Sequence, residues 1–117
     1  MSKASRTIQI WSFYVLGLGL IFLFVPNFLL GLFGFPPTDE VWIRIVGVLA
    51  LILAYFYYNA ARQELTALFE WSVIPRAGVI LVFIVFVLLD MALPQLILFG
   101  VADLAGALWT RSALRSG

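Results

Sequence analysis

Apolar residues come in long runs broken by short polar or proline-bearing links. Four runs reach the roughly 20 residues that a bilayer-crossing helix needs: 8–25, 41–61, 75–91 and 94–110. The first ends at Pro26–Asn27. The third and fourth each open on a proline, where a missing backbone N–H costs little. The sequence therefore predicts an all-α, integral membrane four-helix bundle made of a single transmembrane domain. The 92–93 link is so short that the third and fourth spans are read as an antiparallel hairpin.

Two longer links carry their own pattern. Residues 26–35 place Phe28, Leu29, Leu32 and Phe33 on a short segment expected at the outer interface, with Pro26 as its start. The alternative is that the first helix continues through a proline kink. Residues 62–74 are amphipathic. There Leu65, Leu68 and Phe69, with Trp71 as a further candidate, are expected to dip into the inner leaflet, leaving Arg62, Glu64 and Glu70 in water.

Composition strengthens this picture. Of 117 residues, 64% are hydrophobic and 11% charged, against about 25% charged in an ordinary soluble domain. Lipid is the solvent that suits such a chain. The first run is too long for a typical cleaved leader, and no small-residue cleavage motif follows it, so it is read as a retained helix. Lys3, Arg6, Arg62, Arg76, Arg111 and Arg115 fall on one side and Arg44 on the other. By the positive-inside rule both termini are expected in the cytoplasm. The predicted location is a bacterial inner membrane, crossed several times.

The residues that are missing limit the chemistry. There is no Cys and no His, and the only lysine is Lys3. Disulfides, thiol catalysis and imidazole general bases are excluded, as is a Schiff base within a span. A net charge of +1 provides no field for nucleic acid. No catalytic residue, metal site or cofactor is predicted.

Helix faces suggest how the spans pack. Arg44, Gly47, Ala50, Ala54, Tyr58 and Ala61 recur at three- and four-residue steps on the second span. Gly100, Asp103, Gly106, Ala107 and Thr110 do so on the fourth. Small residues let helices approach closely in lipid, so these two spans are expected to meet. The third, rich in bulky residues, is expected to face lipid.

Three acidic or basic residues invite a role. Arg44 and Asp90 match in depth and form the expected polar pair, more naturally an assembly contact than a mechanism. Asp103 has no charged residue within seven positions on either side and lies near mid-span. A charged aspartate there costs at least about 2.5–3.5 kcal/mol on insertion scales. It must be neutral and hydrogen-bonded, or face a cation or a wet cavity. Tyr55, Tyr57 and Tyr58, in the inner half of the second span, are the available donors. The tyrosine cluster and Trp109 are read more readily as residues of an interfacial belt than as a ligand cage.

The order of a proline after the first span, then LFGFPP, WIRIVGVLALILAYFYYNAAR, VIPRAGVILVF and LFGVADLAGALWT, resembles small bacterial membrane proteins that are DoxX-like in size and layout. The resemblance covers nearly the whole chain, and its motifs are generic for packed membrane helices. It implies four helices in the cytoplasmic membrane and carries over no catalytic residue. Such proteins are linked to redox or thiol chemistry, for which this chain lacks Cys and His.

Three functions are open at this point. The first is a non-catalytic accessory or assembly subunit, with the bilayer and other membrane subunits, or further copies of itself, as partners. The second is a homo-oligomeric transporter or channel using Asp103 as a proton- or cation-linked group. The third is a lipid- or quinone-interacting enzyme.

Overall fold

The computed structural model of the protein describes residues 2–116. They form five helices: α1 (Lys3–Phe24), α2 (Pro26–Leu32), α3 (Val41–Arg62), α4 (Thr66–Leu88) and α5 (Leu96–Ser116). Four of them are long and apolar enough to cross a membrane.

The ends of these helices follow from local chemistry. The Ser2 hydroxyl caps α1 by accepting from the Ser5 backbone N–H at 3.0 Å, using one of the donors that a helix start leaves unpaired. Val25 breaks the regular backbone, and Pro26 opens α2 as its first residue. The short segment after α1 is thus a separate helix and not a continuation of α1.

Three helices end in the same way. Beyond α2, α3 and α4, one residue takes a left-handed backbone: Gly34 (φ 77°), Glu64 (φ 53°) and Asp90 (φ 61°). Each gives a paired closure, with Phe35 N–H to Leu30 O, Leu65 N–H to Ala60 O and Met91 N–H to Phe86 O at 2.8, 3.1 and 2.8 Å. This is the Schellman arrangement. Asp90 therefore serves as a helix terminator.

The sequence places the start of the third span at Pro75, whereas the helix begins nine residues earlier at Thr66. Only residues 63–65 link α3 to α4. The apolar side of the 66–74 stretch is continuous with the helix that follows. Phe69, Ser72 and Arg76 recur at three- and four-residue steps and are all buried. Pro75 removes one helix hydrogen bond within this stretch, a loss that membrane helices tolerate.

Helix α1 is the hub. It packs extensively on α3 and also touches α2, α4 and α5, while α4 packs mainly on α5. Contrary to the expectation from their small faces, the second and fourth spans are not each other's main partners: the principal partner of α3 is α1, and that of α5 is α4. A Cβ on Gly47 would lie 2.7 Å from Leu23 N and 2.8 Å from Gly19 O, both on α1. A Cβ on Gly100 would lie 2.9 Å from Ile80 Cα on α4. The small faces do mark close contacts, but periodicity does not name the partner. The short polar residues of α1 (Ser5, Thr7 and Ser12, all buried) let it occupy the centre.

The end of the molecule that carries the termini is closely packed. Ala4, Ile8, Ala60, Ala61, Phe69 and Ala113 form one core cluster. Above it, Trp11, Val15 and Ala54 form a second. Beyond that level the two helix pairs diverge.

Candidate functional site

Where the two clusters adjoin lies a charged side chain that the sequence reading assigned to the surface. Arg76 is 5% exposed. Its Nη1 donates to Thr110 Oγ1 at 3.1 Å and Ser72 Oγ at 3.4 Å. Its guanidinium carbon lies 4.4 Å from the centre of the Trp11 ring, a cation–π geometry. Thr110 in turn shares a 2.7 Å hydrogen bond with Thr7. Helices α1, α4 and α5 are thus tied through a single polar centre. Among the described residues, the Nε and Nη2 atoms of Arg76 find no hydrogen-bond partner.

Gly106 makes room for this centre. A Cβ there would stand 2.7 Å from Arg76 Nη2 and 2.8 Å from the Trp11 ring. Ala107, on the same helix, is fully buried.

Asp103 lies one turn from Gly106 on the same helix. It is half-buried and within electrostatic reach of Arg76, but no direct ion pair joins them. Tyr57 from α3 senses both charges, and Tyr14 from α1 senses Asp103. The structure thus supplies the cation that the sequence could not name for Asp103.

Of the three tyrosines expected as donors to Asp103, Tyr55 and Tyr58 lie elsewhere, and only Tyr57 is within electrostatic reach of it. Tyr55 and Tyr58 line a shallow groove on the α1–α3 side, with Phe13 and Leu16. The Tyr58 ring is 6.0 Å from that of Phe13, and Arg62 lies 5.8 Å from the Tyr58 ring centre. The packed face of α3 runs Gly47, Ala50, Ala54, Tyr57, Ala61. Positions 57 and 58 both fit a helical stripe after Ala54, so spacing alone does not separate them.

Arg44 and Asp90 are also apart. The Arg44 guanidinium donates to the Leu23 carbonyl, one of the unpaired acceptors at the C-terminus of α1. A cation there also complements the helix dipole. Asp90 ends α4 in an exposed turn, and among the described residues no ion pair joins the two.

Beyond Asp103, toward the end distant from the termini, the diverging helix pairs enclose a cavity of about 390 Å³. Every long helix contributes to its wall: Val15 and Phe22 from α1, Val46 from α3, Phe83 from α4 and Phe99 from α5. Leu30 of α2 and Phe35 of the following loop close it. Phe33 and Phe35 pack on Phe99 with ring centres 4.9 and 6.4 Å apart. Gln95 Nε2 donates to Gly34 O at 3.4 Å. The loop is held at its other end by Asn27, which exchanges two hydrogen bonds with the Thr38 backbone at 2.8 and 3.2 Å. Asp103 is the one charged residue in the cavity wall.

The dimensions and chemistry of this cavity are compatible with a small apolar molecule. It has the volume range of small-molecule sites, about 300–1,000 Å³, with an apolar wall and one polar group that can fix orientation. Among the described residues no cluster of three His, Cys, Asp or Glu side chains exists that could hold a metal ion. No protein-family model, curated protein or solved structure matches the chain.

Proposed function

We propose that this chain is a non-catalytic, multi-pass protein of a bacterial inner membrane, an accessory component that holds a lipid-soluble molecule in the cleft between its two helix pairs. The observation that carries this reading is the cavity of about 390 Å³ with Asp103 as its only charged wall residue. The four long helices act as a membrane bundle of DoxX-like layout. Arg76 and its hydroxyl partners hold the bundle together at one end of the cleft.

Both termini are assigned to the cytoplasm. Lys3, Arg6, Arg62, Arg111 and Arg115 are exposed at the end with the termini. The opposite end exposes Asp39, Glu40 and Asp90 and one cation, Arg44. Removing Arg76 from the surface count leaves that asymmetry intact. A membrane-impermeant thiol reagent should label Thr38→Cys and spare Ser2→Cys in intact cells.

The test of function is extraction from the native membrane in mild detergent, followed by mass spectrometry of what travels with the protein. A lipid-soluble molecule in stoichiometric amount, lost on Val46→Phe, is the expected result. A stoichiometric protein partner with no small molecule would replace this reading with that of a pure assembly subunit.

A further inference from the structure

The cleft differs from a simple acyl-chain groove in the balance of charge at its floor. It is rich in flat rings: Trp11, Tyr14, Phe22, Phe35, Phe83 and Phe99 all contribute to the wall. Rings of this kind pack well on another ring, edge-on or offset. At the floor, Asp103 presents an acceptor that makes no hydrogen bond to any described residue. The guanidinium of Arg76 is not part of the wall but lies 4.4 Å from the centre of the Trp11 ring, which is. The two groups are close enough to act on each other, and together they carry no net charge.

This pairing selects against ions. An ammonium head drawn to Asp103 would meet the field of Arg76, and a carboxylate or phosphate head would meet Asp103 itself. Either would also have to shed its water in an apolar cleft, with only half of the site to compensate it. A neutral hydroxyl has neither handicap. It can donate its proton to the Asp103 carboxylate, the one charged group of the wall, without carrying a charge into the cleft.

Resting on the reading of the cleft as a ligand site, we propose that its occupant is a neutral, hydroxyl-bearing ring with an apolar tail. The ring lies among the aromatic side chains with its hydroxyl on Asp103. The tail extends past Phe22 and Phe83 toward Leu30 and Phe35. The wall offers two helix pairs to the flat faces of such a molecule, and α2 closes over its end.

The experiment uses the full chain in phosphatidylcholine nanodiscs, with Trp42, Trp71 and Trp109 changed to Phe so that Trp11 in the cleft wall is the sole reporter. Four brominated probes, whose bromine quenches tryptophan, share one hexyl tail. They are a bromo-hexylphenol, the same ring without hydroxyl, the ring bearing an aminomethyl group, and the ring bearing a carboxylate. The phenol should quench saturably at concentrations at least about tenfold below the other three, the ratio expected when one buried hydrogen bond is gained or lost. Asp103→Leu should bring the phenol to the level of the plain ring, whereas Asp103→Asn, which keeps an acceptor, should retain most of the preference. Val46→Phe should remove saturation for every probe.

The outcomes separate the two layers of the argument. If no probe saturates, or Val46→Phe changes nothing, the cleft is not a ligand site and the functional reading fails with it. If probes saturate and are blocked by Val46→Phe, but the plain ring or an ion binds as well as the phenol, the cleft stands and the hydroxyl assignment is overturned. The ranking of the four probes on the unmutated Asp103 decides this even where Asp103→Leu does not fold.

Discussion

The two halves of this molecule are built on opposite rules. In the half with the termini, small residues and buried hydroxyls bring α1, α3, α4 and α5 together, and Ile8, Ala61 and Phe69 are sealed from any solvent. In the other half the same helices leave a space between them that is walled by Phe and other large side chains. Packing in lipid depends on close contact of surfaces rather than on expulsion of water. A gap lined by apolar groups is therefore a loss of contact energy unless something fills it. The contrast teaches that the polar centre at Arg76 and the cleft beyond Asp103 are one design. The first fixes where the helices join, and the second begins where that join ends.

The close packing of the first half depends most on Gly106. Gly106→Leu would push a side chain into Arg76 and Trp11 and displace a buried cation. We expect a loss of about 3–5 kcal/mol, seen as failure to elute as a single species after detergent extraction. Leu in place of Val85, which is 49% exposed on α4, should have no such effect. Equal tolerance at both positions would place the packed face elsewhere.

Thr110→Val keeps the shape and removes the hydroxyl shared by Arg76 and Thr7. One guanidinium donor and one threonine would lose their partner across helices. The expected cost is about 1–3 kcal/mol, measured as a lower unfolding midpoint. The same change at an exposed position such as Thr66 should cost nothing measurable.

A smaller effect of opposite sign is expected at Asp90. Its left-handed backbone (φ 61°) suits glycine better than any L-residue, so Asp90→Gly should raise stability by up to about 1 kcal/mol. A clear loss would mean that the carboxylate has an ionic partner after all, as the depth-matched pairing with Arg44 had suggested.

The mildest effect concerns Glu64, which joins the start of α1 to the α3–α4 turn. It accepts from the Ser2 backbone N–H and hydroxyl, each at 2.7 Å. These bonds, the backbone one foremost, hold its carboxyl below the ordinary carboxylate range. A lowered value in the folded state means that the stabilisation is present above the ordinary range and lost as pH falls through the lowered one. Wild type should therefore exceed Glu64→Gln slightly at neutral pH, and the gap should close only in acid. A gap that widened in acid would contradict the assignment.

Much of the architecture was legible from the pattern of the chain, because a membrane helix must be apolar along nearly its whole length. The four long helices and the break at Pro26 follow from that rule. Helix boundaries were less legible where an amphipathic stretch ran into a span. Residues 66–74 read as a surface link because Glu70 and Trp71 face outward and Pro75 mimics a helix start. Arg76 was misplaced for the same reason. The signal that could have found it is the spacing of Phe69, Ser72 and Arg76, a buried-face stripe that runs straight through the proline. The cleft was not legible, since it arises from the divergence of helix pairs. Nor could spacing show that α1, with its modest glycines and hydroxyls, would be the common partner.

The most direct test of the contrast between halves is to add the same bulk to each. Ala61→Phe places a ring where there is no room, whereas Val46→Phe places one in the cleft. Thermal unfolding of both variants in one detergent, after removal of bound small molecules, is the measurement. The account predicts a loss of about 1–3 kcal/mol for Ala61→Phe and an unchanged or higher midpoint for Val46→Phe. Equal destabilisation by the two would contradict it, since both halves would then be filled by their own side chains and no space would be left for a ligand.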